Sequence, residues 1–536
     1  MRPDPSITLN ITLSQLKLKN GARYMGKAWD LDSVLVVDFG GQYAHLIARR
    51  IRELGVYSEI VPAVNLDAVG DAVSRSAGVI LSGGPGSVWE SRHDEAALMA
   101  IESGKPVLGI CYGHQLLAKV LGGEVGRSPL PEFGPTEVEV LDHGLLLDGL
   151  PAKFKVWMSH YDAVLRPPRG AKVLARSPGS PVAAMELGSR VFGVQWHPEV
   201  RHSQFGMELL DNFLSVVGVP RSWRPGDMVS ELVEGVRLQV GDARAVAAVS
   251  GGVDSTVAAL IAKKALGDRL HPVFIDHGLH PEGEVERVLK LLSTVGIEPM
   301  IIDAGEQFLS ALEGVADPEE KRRVVGRLYA EVLELVAREL GAEYLVQGTI
   351  YPDVIESGAS PGADVIKTHH NVGGLPRDMG LKLVEPLRLF YKDEVRVIAE
   401  KLGIPRELVW KQPVPGPGLA VRVEGPLTRE KLRIVRHADA IVREEVESAG
   451  LSGRLWQYFA VLTASKATGV RGDSRSYGYV VALRAVESMD AMTAKPAELP
   501  WWLLERIAWR ITSEIPEVVR VVYDITSKPP STIEWE

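Results

Sequence analysis

Twice along this chain a short apolar run ends on glycines and passes directly into a helical pattern. The first is Pro106–Ile110, followed by Cys111 and a helix from Gly113 (GICYGHQ, 109–115). The second is Arg244–Val249, followed by SGGVDS at 250–255 and a helix over Thr256–Leu266. A short apolar run bounded by glycine reads as a buried strand, and strands alternating with helices require a mostly parallel sheet. Such sheets bind ligands beyond the carboxyl ends of their strands, which is where both turns fall.

The alternation runs from Val34 to Val216. Gly218–Asp227 (GVPRSWRPGD) reads as a linker, and a second unit follows with strands near 246, 272, 299 and 344. Residues 353–380 are rich in Gly, Pro and polar side chains without periodicity, the mark of a functional lid or a disordered segment. QPVPGPGLA at 412–420 marks another boundary, and the remainder mixes helix and strand, including VVYDIT. The expected fold class is therefore α/β: two doubly wound, mostly parallel-sheet domains (32–217 and 218–411) followed by a smaller α+β domain (412–536). Residues 1–31 form an N-terminal extension. Its Ile7–Ser14 stretch alternates with period two, which suits an edge strand, a tail, or sequence upstream of a start at Met25.

A net charge of −9 and a pI near 5.9 give no broad attraction to nucleic acid or membrane. No apolar run is long enough for a membrane-spanning helix. The single cysteine excludes an intrachain disulfide and fits a reducing compartment, hence a cytoplasmic protein.

That cysteine, Cys111, is predicted at the strand-to-helix turn, where a side chain stands above the sheet and faces a helix N-terminus that favours an anion. A lone cysteine is most often a small buried hydrophobe. A nucleophile needs a base, and the base needs an orienting acceptor. GVQWHPEV at 193–200 offers both: Val191–Trp196 reads as a strand, His197 follows it, and Glu199 lies two residues on. SGGPGS at 82–87, after the strand Ala77–Leu81, has glycines that let backbone N–H groups approach an oxyanion.

Together these pieces resemble the class I glutamine amidotransferase domain, over roughly residues 32–216. The resemblance implies that Cys111 attacks the glutamine side-chain amide, His197 is the acid/base and Glu199 orients it. It implies an oxyanion hole from the N–H groups of Gly84 and Tyr112, and a glutamine-binding role for Gln115.

SGGVDS is a phosphate cradle by composition. Gly251 and Gly252 let consecutive N–H groups turn inward at a helix N-terminus, and Ser250 and Ser255 add hydroxyl donors. Asp254 would repel phosphate unless a cation intervenes, so it reads as a Mg²⁺ ligand. The loop is neither a Walker P-loop nor a dinucleotide fingerprint. It resembles the pyrophosphate loop of the N-type ATP pyrophosphatases, which split ATP between the α and β phosphates.

QGTIYPDVIESG (347–358), KTHHNVGGLP (367–376), LVEPLRLFYKDEVR (383–396) and the terminal YDITSKPPSTIEWE (523–536) look like the glutamine-hydrolysing GMP synthetases. That resemblance implies ATP-dependent amination of xanthosine monophosphate (XMP) through an adenylated intermediate, with Mg²⁺ accompanying ATP. The implied partners are the small molecules glutamine, ATP and XMP and a second copy of the chain, a homodimer formed by the C-terminal domain. Lys367 and Lys392 are candidates to neutralise phosphate. Asp353 and Glu356 either hold Mg²⁺ or order the lid, and His369 and His370 either bind phosphate or pack the lid. Arg520 and Lys528 suit the XMP phosphate, Glu534 the purine N–H groups, Ile533 a backbone contact and Gln457 an XMP contact. Three departures from the family pattern stand out: Gln412 and Val414 in QPVPGPGL replace histidine and phenylalanine, Tyr161 in SHYD replaces glycine, and Gly41 in DFGGQY replaces serine. The rival readings are another amidating ATP pyrophosphatase, such as an NAD synthetase, and a nucleotide-binding regulator without turnover.

Overall fold

The computed structural model describes residues 32–90, 93–356, 380–488 and 493–536. They form two compact units that divide between Arg224 and Pro225, inside the Gly218–Asp227 stretch.

The first unit is built on nine strands: β1 (Ser33–Asp38), β2 (Tyr57–Pro62), β3 (Gly78–Leu81), β4 (Val107–Ile110), β5 (Glu124–Val140), β6 (Lys153–Arg166), β7 (Lys172–Arg176), β8 (Ala184–Leu187) and β9 (Val191–Val194). They make one sheet in the order β2-β1-β3-β4-β9-β8-β7-β5-β6. The β2-β1-β3-β4-β9 half is parallel, as expected from the alternation of strand and helix. From β9 the sheet continues antiparallel through β8, β7, β5 and β6. Hairpin strands carry no helix between them, so the periodicity that exposes βαβ units does not single them out.

β3 and β4 are buried at every residue. Alternate residues serve different cores. Val34, Val36, Ile80, Leu108 and Ile110 join one apolar cluster, while Leu35, Val37, Val79, Leu81 and Val107 join the other. Side chains alternate across a strand, so a sheet covered on both faces needs apolar residues at every position of its central strands. The apolar runs of the sequence are that requirement.

The second unit contains β10 (Ala245–Ala248), β11 (Leu270–Asp276), β12 (Met300–Asp303), β13 (Tyr344–Val346) and β14 (Lys382–Val384), a parallel sheet in the order β12-β11-β10-β13-β14. A second sheet holds β15 (Gln457–Arg471), β16 (Ser474–Glu487), β17 (Lys495–Pro496) and β18 (Val518–Tyr523). β15 and β16 form a long antiparallel hairpin, and β18 lies parallel to β16. One apolar cluster includes Val246, Val273 and Leu345 with Leu419, Ile441, Leu462, Val481 and Ile511. The two sheets thus share a core across the 412–420 boundary. Helix ends follow local chemistry. Asp317 caps Pro318–Leu340 by accepting from Glu320 N at 2.8 Å, with proline in the first turn and Gly341 (φ 64°) at the end. Thr428 caps Arg429–Ser448 by accepting from Lys431 N at 3.2 Å.

The period-two stretch Ile7–Ser14, and the lid candidates Lys367, His369 and His370, lie outside the described residues.

Candidate active site

Cys111 sits between β4 and the helix Tyr112–Val120, with φ 52° and ψ −103°. A non-glycine residue there is strained, and such strain persists only where the surroundings enforce it. The surroundings are tight. A Cβ on Gly109 would lie 2.5 Å from the Gly113 carbonyl oxygen, and one on Gly113 would lie 2.2 Å from the Leu81 carbonyl oxygen. Both glycines of G-x-C-x-G are needed for the chain to turn this sharply.

β9 ends beside this turn, and Cys111 N donates to the Val194 carbonyl at 2.8 Å. His197 and Glu199 follow, both buried, with His197 Nδ1 2.7 Å from Glu199 Oε1. The ring is pinned from its backbone too: His197 N donates to Trp157 O at 3.0 Å, and Ser203 Oγ to His197 O at 2.6 Å. Burial opposes charge on His197, but the Glu199 carboxylate and the hydrogen-bonded Cys111 outweigh it, holding the imidazole pKa well above its ordinary value. The arrangement is a thiol, an imidazole beside it, and a carboxylate on the far ring nitrogen.

The SGGPGS turn approaches the same place. A Cβ on Gly83 would lie 3.1 Å from His197 Cε1. Gly84 is packed closely against Phe39 and Tyr112: an added Cβ would be 3.0 Å from Phe39 Cβ and 3.2 Å from Tyr112 Cδ1, so either neighbour would have to give way. The structure therefore brings Cys111, Tyr112, Gly84, His197 and Glu199 together.

Gln115, expected to hold glutamine, is itself anchored on the protein. Its amide nitrogen donates to the Asp162 carbonyl at 2.6 Å and to Gln195 Oε1 at 3.2 Å, so its donors are turned onto the protein. Gln195, which the sequence reading passed over, sends its own amide to Cys111 Sγ at 3.7 Å. Its signal was its place in GVQWHPEV, in the otherwise apolar run ending at Trp196. Ser159 O also accepts from Cys111 Sγ, at 3.6 Å. Tyr161, the departure in SHYD, lies exposed against Phe133 (ring centroids 4.8 Å) with the Arg127 guanidinium 4.4 Å above its ring.

In the second unit the 250–255 loop joins β10 to the helix Val253–Leu266. Gly251 has φ 76°, and the hydroxyls interlock: Ser250 N donates to Ser255 Oγ at 3.2 Å, the two Oγ atoms are 3.1 Å apart, and Ser255 Oγ donates to Gly252 O at 3.1 Å. Asp254 is ion-paired through Oδ2 with Lys392, while its buried Oδ1 has no hydrogen-bond partner. A carboxylate with one oxygen held and one unsatisfied fits a cation ligand, and Mg²⁺ bound with substrate phosphates needs only one or two protein carboxylates. Among the described residues no cluster of three His, Cys, Asp or Glu forms a separate metal site. Asp353 lies in the helix Tyr351–Glu356 and its Oδ2 accepts from Ile350 N at 3.0 Å. The Glu356 side chain is outside the described residues.

At the C-terminus, Glu534 accepts from Arg422 through both oxygens (3.0 and 3.2 Å) and from Gln457 Nε2 at 2.8 Å. Ile533 is buried, and its carbonyl accepts from Arg484 Nε at 3.4 Å. Lys528 is fixed through its backbone to Ala494 (2.8 and 3.0 Å), and Arg520 stands exposed on β18. Gln457, Ile533 and Glu534 thus form one cluster, organised by two buried arginines the sequence reading missed. Their signal was an arginine inside an apolar run, GLAVRV for Arg422 and VVALRAVE for Arg484. Gln412 contributes at the same junction, its Oε1 accepting from Tyr458 N at 3.0 Å.

Comparison with known proteins follows this division. Residues 35–217 match the family described as glutamine amidotransferase class-I, 228–349 that described as NAD synthase, and 444–535 the GMP synthase C terminal domain. The chain is 85% identical over 512 residues to the GMP synthase (glutamine-hydrolyzing) of Aeropyrum pernix, covering 96% of this chain and 100% of that protein. It is 53% identical over 507 residues to the protein of the same name from Pyrobaculum aerophilum, covering 94% and 100%. Among solved structures, a glutamine amidotransferase from Thermotoga maritima covers 35% of this chain and 98% of its own, at 20% identity and a TM-score of 0.30.

Proposed function

This chain belongs to the glutamine-hydrolysing GMP synthase family, and from that premise we propose how its residues divide the work. The enzyme aminates XMP to GMP at the expense of ATP, with glutamine as amido donor. The NAD synthase match covers only part of the phosphate-loop unit, whereas the whole-length relatives and the 444–535 match carry the GMP synthase name.

The observation that carries the assignment of the first site is the 2.7 Å His197–Glu199 pair beside Cys111 at its positive-φ turn. Cys111 Sγ attacks the glutamine carboxamide carbon as its thiolate. The N–H groups of Gly84 and Tyr112 receive the developing oxyanion, where fixed dipoles contribute most. The raised pKa of His197 supports an imidazolium that hands its proton to the leaving ammonia. The neutral ring then draws a proton from the water that opens the glutamyl thioester, releasing glutamate and restoring the thiol–imidazole pair. Glu199 keeps the ring oriented throughout. Gln115, whose amide is anchored on Gln195 and on the Asp162 carbonyl of β6, helps hold the bound glutamine.

In the second unit, Ser250, Gly251, Gly252 and Ser255 hold the ATP phosphates. The C2 oxygen of XMP attacks the α-phosphate, pyrophosphate leaves, and ammonia then displaces AMP from C2 to give GMP. Mg²⁺, when bound, would neutralise phosphate charge, and Asp254 Oδ1 is the ligand this chain offers it. Lys392, adjacent to Asp254, and Lys367 supply further positive charge, while Asp353 and Glu356 order the start of the lid. Gln457, Ile533 and Glu534 read the purine, and Arg520 and Lys528 meet its phosphate. The assignment of domains at 32–217, 218–411 and 412–536 follows the same division of chemistry.

Exposed apolar side chains on the last segment support a homodimer: Val470 and Tyr477 near the β15–β16 turn, and Trp501, Trp502 and Trp509 on the helix Trp501–Glu514. Such patches mark association surfaces. Among the described residues no helix is long and apolar enough to cross a membrane. The single free cysteine and the acidic charge balance support a cytoplasmic enzyme that works on small molecules, with neither membrane nor nucleic acid as a partner.

The test is to incubate the protein with MgATP and XMP, supplying glutamine or ammonium, and to resolve the nucleotides. GMP and AMP from both nitrogen sources are expected. Products from ammonium alone would remove the assignment of the first site, and none from either would remove the whole reading.

A further inference from the structure

Lys411 lies outside every motif assigned above, yet it is almost wholly buried, with 9% of its side chain exposed. Its ammonium forms an ion pair with Glu284, whose side chain is 6% exposed, and donates to the Gly251 carbonyl at 3.2 Å. Burying an ammonium and a carboxylate is costly, and a pair retained in that setting has to be held by its geometry. Glu284 is held from its other side by Arg443, at 3.9 Å, and Arg443 is fixed by Asp439 at 2.7 Å.

Gly251 is gripped from a second direction. Glu284 opens the helix Glu284–Thr294, and Val288 stands one turn further along it. A Cβ on Gly251 would lie 2.4 Å from Val288 Cγ1, and Gly251 already has φ 76°. One helix therefore supplies both the wall against the glycine and the carboxylate that aims Lys411 at its carbonyl.

The consequence follows from peptide geometry. In a trans peptide the C=O and the following N–H point in opposite directions. Drawing Gly251 O toward Lys411 turns the Gly252 N–H to the other side of the loop, the direction a phosphate-binding nest requires. With the peptide flipped, a carbonyl oxygen would face the phosphates and repel them.

We propose that Lys411 is a positioning residue for the ATP-dependent step: paired with Glu284, it fixes the Gly251–Gly252 peptide so that the 250–255 loop presents N–H groups to the triphosphate. The inference rests on reading that loop as the ATP site. Lys411 acts through the peptide and is not itself a catalytic residue.

The experiment compares the full-length wild type with Lys411→Met, Lys411→Arg and Glu284→Gln, measuring MgATP dissociation constants by calorimetry and ammonia-dependent GMP formation. Lys411→Met is expected to weaken MgATP roughly tenfold or more, the scale of a lost hydrogen bond to a charged group. KM for XMP and the glutaminase rate should stay within about twofold. Lys411→Arg should recover most of the affinity, because a guanidinium can still donate to both partners. Glu284→Gln, which keeps the lysine but frees it, should weaken MgATP in the same direction, and it replaces Lys411→Met as the deciding variant if that protein does not fold. Unchanged MgATP affinity in the deciding variant, or no recovery in Lys411→Arg, would overturn the proposal. A wild type that binds no MgATP would instead overturn the reading of the loop.

Discussion

Gln195 donates its side-chain amide to Cys111 Sγ at 3.7 Å while its carbonyl oxygen accepts from Gln115 at 3.2 Å. The nucleophile is thereby tied to the middle of the helix that follows it through a residue from a different strand end. A thiolate gains from a donor in a site that excludes water, and the donor is useful only if it is held still. Gln195→Ala is expected to lower glutamine hydrolysis about tenfold to a hundredfold, with ammonia-dependent GMP formation unchanged. A glutaminase assay run in parallel with an ammonium assay reads both.

Cys111→Ala removes the only thiol in the chain. Glutamine-dependent synthesis should vanish, while synthesis from ammonium continues at close to the wild-type rate. Loss of both would show that the two sites do not work separately.

Glu199→Gln removes the carboxylate that offsets the burial of His197. Glutaminase should fall on the order of 10²- to 10⁴-fold, the scale of losing an orienting carboxylate in comparable triads. The pH dependence has a definite sign. The folded pKa of His197 is raised, so its stabilising contribution is fully present below the unfolded value of about 6.5 and is lost as pH rises through the folded value. The gap in thermal midpoint between wild type and Glu199→Gln should therefore be widest near pH 6 and narrow at alkaline pH. A gap that widens with pH would contradict the assignment.

Gly113→Ala places a methyl group 2.2 Å from the Leu81 carbonyl oxygen. Neither side of that contact is a flexible side-chain end, so the elbow must open. A loss of about 2 kcal/mol or more in the stability of the first unit is expected, with glutaminase lost and ammonium-dependent activity kept. Denaturant unfolding and the two assays together check it.

Asp254→Asn retains the shape of the side chain but removes the charge that pairs with Lys392 through Oδ2 and that the unsatisfied Oδ1 offers to a cation. Pyrophosphate release and GMP formation should fall by at least about a hundredfold, with glutamine hydrolysis in the first unit retained. Near-normal pyrophosphate release would exclude Asp254 as an essential ligand.

The strand-to-helix turns were legible because they depend on near neighbours. Glycines at 109 and 113 permit the Cys111 elbow, and Gly251, with φ 76° and Val288 against it, permits the phosphate loop. The central strands announced themselves because both of their faces are covered, which forces an unbroken apolar run. The antiparallel strands β5 to β8 carry no such mark, since half of their residues face outward or toward other elements.

What the sequence by itself determined is the chemistry available and the local frame that presents it: a thiol at a sharp turn, a histidine with a carboxylate two residues on, and a glycine-serine loop opening a helix. These are fixed by contacts a few residues apart, where residue type and spacing decide the outcome. Only the tertiary structure decided which distant groups meet them. Gln195 reaches Cys111 across 84 positions, Lys411 reaches Gly251 across 160, and Arg422 reaches Glu534 across 112. Such partners are chosen by the register of strands and the packing of a shared core. A polar side chain buried by that packing must find its partner wherever the fold puts one, because leaving it unpaired costs more than any local preference supplies.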